Sequence, residues 1–200
     1  AVMEEAANFY EDHLEKNSEA RAYLTSRGLK EKTTRDFRIG FAPLDWRLLY
    51  DHLKKKQFAD GEIERAGLSK KVERKAKTAE DLNGGSPGTA QAVLRGYYDR
   101  FRGRIMFPIF DIGGRVVAFS GRVFGEQKTP DGTDVAKYIN SPETPLYDKS
   151  ATLFGYDRAK MAIRKQNFAI LVEGQMDLIM AHQAGTENTV AVSGTALTER

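Results

Sequence analysis

Two apolar runs, Arg104-Ile-Met-Phe-Pro-Ile-Phe110 and Arg115-Val-Val-Ala-Phe-Ser-Gly-Arg-Val-Phe124, are separated by Asp111-Ile-Gly-Gly114. Runs rich in β-branched and aromatic residues, split by Asp and paired Gly, read as an antiparallel hairpin, because those turn residues accept backbone angles that reverse a strand. A sheet is therefore pinned to the middle of the chain, and an all-helical fold is excluded.

What flanks the hairpin has a different period. Ala6, Phe9, Tyr10, His13 and Leu14 share one helical face, and Asn17/Ser18 can cap a second helix carrying Ala22, Tyr23 and Leu24 that Gly28 ends. Asp45 is placed to cap a helix over Trp46–Gln57, and Asp60 to begin another ending at Gly67. From Ser69 to about Ala92 the chain is charged and then Gly/Ser-rich with little apolar periodicity, which reads as an exposed, mobile insertion. A short strand is expected at Lys137–Asn140, and the two prolines of Asn140-Ser-Pro-Glu-Thr-Pro145 enforce an irregular loop. After a helix around Gly155–Lys165, the apolar strand Phe168–Val172, a turn at Glu173-Gly174, the helix Met176–Ala184 and the strand Thr189–Val192 alternate as in a parallel α/β sheet. The fold class is thus α+β: residues 1–166 form a helical and mixed antiparallel subdomain (helical 1–68, insertion 69–92, mixed β 93–166). Residues 167–200 are the start of an α/β domain, truncated here. The first and last residues read as those of a piece excised from something longer.

With no Cys among 200 residues, disulfides, thiol nucleophiles and Cys-based zinc sites are excluded, and the three histidines show no ligand spacing. The longest strongly apolar run, Phe168–Val172, falls far short of the ~20 residues of a membrane span, so no membrane association and a cytoplasmic location are expected. The formal charge of +3 is local in origin: Ser69–Thr78 carries +4, leaving −1 for the rest. More telling is Arg95-Gly-Tyr-Tyr-Asp-Arg-Phe-Arg-Gly-Arg104, where four arginines meet three aromatics, the mixture that tracks a phosphate backbone and stacks bases. An alternative is outward charge on a solvated strand.

Glu173-Gly-Gln-Met-Asp177 follows an apolar strand directly. In open α/β sheets the ligand crevice lies at the carboxyl ends of the strands, and two hard carboxylates at that rim suit Mg²⁺. Acidic residues are also favoured at a helix N-terminus by its dipole, and spacing alone leaves both readings open. Arg122 lies in a strand whose alternate residues are apolar, so its guanidinium is expected to face a groove and be available to phosphate. Ser193-Gly194-Thr195 is either a capping turn or a phosphate-facing one.

Arg100-Phe-Arg-Gly-Arg-Ile-Met-Phe-Pro-Ile109, Gly114-Arg-Val-Val-Ala-Phe-Ser-Gly-Arg122, Lys137-Tyr-Ile-Asn-Ser-Pro-Glu-Thr-Pro145 with Lys149, and Val172-Glu-Gly-Gln-Met-Asp177 resemble, in this order, the motifs of bacterial replicative DNA primases. Tyr23-Leu-x-x-Arg-Gly-Leu29 and Ile39-Gly-Phe-Ala-Pro43 extend the resemblance over nearly the whole chain. It implies part of the RNA polymerase catalytic core, with a topoisomerase–primase (toprim) fold beginning near Phe168. The implied activity is synthesis of short RNA primers on single-stranded DNA for replication. The resemblance implies that Glu173 is a metal ligand or general base and Asp177 its companion acid, with Mg²⁺ or Mn²⁺ as cofactor and further ligands downstream. It also implies that Arg100, Arg102, Arg122, Lys137, Tyr138, Asn140 and Lys149 hold template and nucleotide phosphates. Implied partners are the DNA template, nucleoside triphosphates and the RNA primer. The replicative helicase, and zinc, would be bound by domains this chain lacks. Ser120 stands where the family usually carries Gly. Two other functions are compatible with the residues: another toprim enzyme, a topoisomerase or nuclease, and a noncatalytic module binding single-stranded DNA or a protein.

Overall fold

In a computed structural model, residues 1–72, 96–128 and 132–192 are described. Helix α1 (Val2–Lys16) buries Met3, Ala6, Tyr10 and Leu14, the i, i+3, i+4 stripe of an amphipathic helix. Asn17 turns the chain into α2 (Ser18–Ser26), its Oδ1 accepting the Ala20 N–H at 2.9 Å. Gly28, at φ 87°, ends that helix and leads through α3 (Glu31–Asp36) to strand β1 (Gly40–Ala42). Gly40 is required by contact: a Cβ there would lie 2.7 Å from the Tyr10 carbonyl carbon, so only glycine lets α1 rest on β1.

Helices α4 (Leu48–Lys55) and α5 (Asp60–Arg65) follow, then β2 (Ser69–Lys71) and β3 (Tyr97–Asp99), paired antiparallel with Ser69 opposite Asp99. This corrects the expected insertion at its start, since Ser69–Lys71 is strand. The expectation for residues 73–92 lies outside the described residues, as does Ser193-Gly194-Thr195. Helix α4 also starts later than expected, at Leu48, leaving Trp46 outside it. Its orphan N–H groups at Leu49 and Tyr50 are capped by the Asp99 carboxylate, at 2.8 and 2.9 Å, rather than by Asp45.

The hairpin forms as its sequence requires. Strands β4 (Arg104–Phe110) and β5 (Val116–Val123) join across a turn in which the Asp111 carboxylate accepts the Gly113 and Arg115 N–H groups. With β6 (Tyr138–Asn140) they build an antiparallel sheet of order β1-β4-β5-β6. All seven residues of β4 are buried, since the sheet is covered on both faces. Pro108 is tolerated because β1 pairs only with Arg104–Met106, so no neighbouring strand on that side needs its missing N–H.

One face packs Met106, Phe110 and Phe119 against α1 and α4. The other packs Ile105, Phe107, Ile109 and Ala118 against Leu14, Leu24, Leu178 and Ile179. The last two belong to α7 (Gln175–Gln183), which follows α6 (Tyr156–Gln166) and β7 (Ile170–Val172). Strand β7 pairs in parallel with β8 (Thr189–Ala191), as the alternating pattern predicts. Burial of β7 does not follow, for Ile170 and Leu171 are 37% and 45% exposed. Only Val172 of this strand packs against the apolar cluster that includes Leu178 and Ile179.

Candidate nucleic-acid interface and acidic corner

The site is built around β3 and β6. The Asp99 N–H donates to the Trp46 carbonyl at 2.9 Å, which brings the loop before α4 against β3. Trp46, 52% exposed, stacks on Tyr98 with ring centroids 4.7 Å apart. The Arg102 guanidinium lies 4.6 Å from the Trp46 ring and 5.2 Å from Tyr98, and donates to the Asp99 carbonyl at 2.5 Å. A cation fixed beside two stacked rings offers a flat, positively charged surface, which every nucleobase can use because every base has a π-face. Arg100, Lys70 and Lys71 line the same open cleft of ≈ 770 Å³, with Pro142 at its rim.

Arg100 connects this platform to the sheet. It donates from Nε and Nη2 to the Asn140 carbonyl at 3.2 and 2.8 Å, and burial lowers its pKa, with Tyr98 pulling the other way. Two residues back along β6, Tyr138 stands opposite Arg122 of β5. The Arg122 guanidinium covers the Tyr23 ring at 5.1 Å, so it is half-buried and aimed by packing. Burial is the main cause raising the Tyr138 hydroxyl pKa; Arg122 opposes it, and the nearby Asp177 carboxylate raises it further. Arg100, Asn140, Tyr138 and Arg122 are thus joined through β6, with Asp177 near enough to Tyr138 to act on it electrostatically.

Glu173 follows β7 at its carboxyl end and is exposed; Asp177 is exposed in the first turn of α7. Both present hard oxygens of the kind Mg²⁺ and Mn²⁺ take. No group of three or more acidic or histidine residues able to hold a metal occurs among the described residues, so these two would supply only part of a coordination shell. Lys137 is exposed at the start of β6. Lys149 follows the proline loop, and its backbone N–H donates to the Glu143 carboxylate at 3.0 Å, which holds that loop. Arg104 is 4% exposed, its Nη1 donating to the Gly121 and Ala136 carbonyls at 3.0 Å each. It is a clamp, not the outward charge its neighbours suggested.

Sequence reasoning missed Trp46, Tyr98, Lys70 and Lys71. The signal for Tyr98 was present in the arginine–aromatic run. Lys70 and Lys71 were assigned to a solvated insertion, and only the pairing of β2 with β3 carries them into the cleft.

The family description "DNA primase catalytic core, N-terminal domain" matches residues 9–84 and 86–160, and "Toprim domain" matches 167–200. The chain belongs to the DNA primase catalytic-core family. A DNA primase of Synechococcus elongatus is 43% identical over 100% of this primase-core chain and 26% of its own length. The RNA polymerase domain of Mycobacterium tuberculosis primase DnaG superposes with a TM-score of 0.79 at 37% identity, covering 99% of this chain and 57% of that one. A DnaG primase catalytic domain bound to single-stranded DNA gives 0.74 at 33% identity, covering 98% and 54%. The primase-core chain spans about a quarter of the length of the curated relatives it matches.

Proposed function

We propose that this chain carries the template groove and the first acidic corner of a DNA-dependent RNA polymerase that makes short primers on single-stranded DNA. The observation that carries the reading is β6: it links the cleft of Trp46, Tyr98, Arg100 and Arg102 to Arg122 and Tyr138, and a strand held on the platform would follow it toward Asp177 and Glu173. Phosphates of template and nucleoside triphosphate would be held by Arg100, Arg102, Arg122, Lys137, Lys70 and Lys71, with bases stacked on Trp46 and Tyr98. Glu173 and Asp177 would hold Mg²⁺ or Mn²⁺ together with oxygens from outside this chain. A divalent ion there supplies charge neutralisation for phosphoryl transfer. Primer and helicase contacts are expected mainly in parts of the enzyme beyond these residues. Family membership supports a primase over other toprim enzymes, and the solved relative bound to single-stranded DNA supports the template class. No helix among the described residues is long and apolar enough to cross a membrane.

In the primer-synthesising enzyme, Glu173→Gln is expected to abolish nucleotide incorporation while single-stranded DNA affinity stays unchanged. Activity surviving within about tenfold would remove Glu173 from the reaction. For binding, each phosphate contact on a single strand contributes roughly −0.7 to the slope of log affinity against log salt. Arg102→Ala and Lys70→Ala are each expected to flatten that slope by about this amount. Arg115→Ala, at the opposite end of β5 from Arg122 and ion-paired with Asp111 at 2.7 Å, should leave it unchanged. Equal effects at all three positions would mean diffuse charge and no groove.

A further inference from the structure

Helix α7 sits on the sheet face formed by Ile105, Phe107 and Ala118, mainly through Leu178 and Ile179. Apolar contacts of this kind are non-directional, so they favour docking without choosing one register over a neighbouring one. One polar pair interrupts them. Gln175, 3% exposed, donates from Nε2 to the Ser120 hydroxyl, which is fully buried, at 3.0 Å. Both groups are sealed from water, so sliding or rotating α7 would leave an amide and a hydroxyl without partners, an outcome buried polar groups disfavour strongly.

The positions of these two residues matter. Gln175 is the first residue of α7 and lies between Glu173 and Asp177. Ser120 lies two residues before Arg122 on β5 and opposite Asn140 on β6. At the far end of α7, Gln183 accepts the Lys30 N–H at 2.8 Å and donates to the Gly28 carbonyl at 2.9 Å, but that contact is exposed. We propose that the Gln175–Ser120 hydrogen bond is the register pin between the two subdomains, making both residues positioning residues that set the carboxylates of Glu173 and Asp177 against Arg122 and Tyr138. The pin itself is a matter of docking geometry; its consequence for metal use rests on the polymerase reading above.

The test uses the absence of cysteine. Spin labels at Ile112→Cys, on the exposed hairpin tip, and Ala184→Cys, at the exposed end of α7, report the distance between sheet and helix. The unsubstituted pair is expected to give a single narrow distribution. Gln175→Met, which keeps an unbranched side chain of similar size, should broaden it at least twofold, and Ser120→Ala should do the same. The double variant should be no broader than either single one, because the two residues act as one unit. Ser120→Ala removes a single oxygen and carries the test if Gln175→Met does not fold. In the primer-synthesising enzyme, Gln175→Met should raise the Mg²⁺ concentration for half-maximal rate at least tenfold, with single-stranded DNA affinity within twofold. An unchanged distribution, independent effects in the double variant, or a metal requirement within twofold of the original overturns the proposal. Activity surviving in Glu173→Gln would instead sink the polymerase reading and leave the distance result standing.

Discussion

Asp99 shows how much one buried carboxylate can organise. Its backbone N–H holds the Trp46 carbonyl, its carbonyl receives Arg102, and its side chain caps α4. Burial pushes its carboxyl up to about 6, against the pull of the Leu49 and Tyr50 N–H groups and of Arg102. The folded state therefore binds this proton more tightly than the unfolded chain. The stabilisation is complete below about pH 4 and is lost as pH rises through about 6. Asp99→Asn cannot titrate there. As pH rises from about 4 to 7, the stability difference between the two proteins should move in favour of Asn by at most about 3 kcal/mol. Movement in the other direction, in urea melts at several pH values, would mean that the capping hydrogen bonds outweigh burial. At this scale the sequence was a partial guide. Arg122 could be placed because alternation along a strand is local, whereas the role of Asp99 as a cap depends on a residue about fifty positions away, and nothing near Leu49 announces it.

Elements whose signals are local were legible: the Asp111-Ile-Gly-Gly turn, the Asn17 cap, and the alternation that gives β7, α7 and β8. Strand β2 was not. Its three residues are charged or small, and they are a strand only because β3, more than twenty residues later, offers a partner. Composition gave the segment its appearance of loop, and pairing overrode it. Strand β7 has the residues of a buried strand; Val172 packs against the apolar cluster, and the rest is exposed in this chain, which spans about a quarter of the length of its relatives. Met161, Phe168, Ile170 and Leu171 are 65%, 54%, 37% and 45% exposed, and β7 has a neighbour only in β8 among the described residues. In this chain, which spans about a quarter of the length of its curated relatives, such an edge favours association. Leu171→Lys is expected to lower self-association in sedimentation experiments and to leave the melting temperature within a few degrees. A large fall in melting temperature would show that Leu171 is packed in solution.

Across the whole molecule, the four-stranded sheet is the shared wall of both apolar clusters, so the groove and the acids are fixed by one rigid layer. Leu178, fully buried where α7 meets that wall, is the most direct probe of the docking. Truncation to Ala should cost about 2–5 kcal/mol through lost burial and the cavity left behind. A loss under about 1 kcal/mol, measured by chemical denaturation, would mean that α7 is not held against the sheet. The cleft on the outside of this frame has a consequence of a different kind. Trp46 is the only tryptophan in the chain and lies with one ring face on Tyr98 and Arg102 close by. The intrinsic indole fluorescence of the protein therefore arises at a single point on the proposed nucleic-acid platform. A base that stacks there would alter that emission, so under the proposed function the chain would carry its own optical reporter of template occupancy, readable without any attached dye.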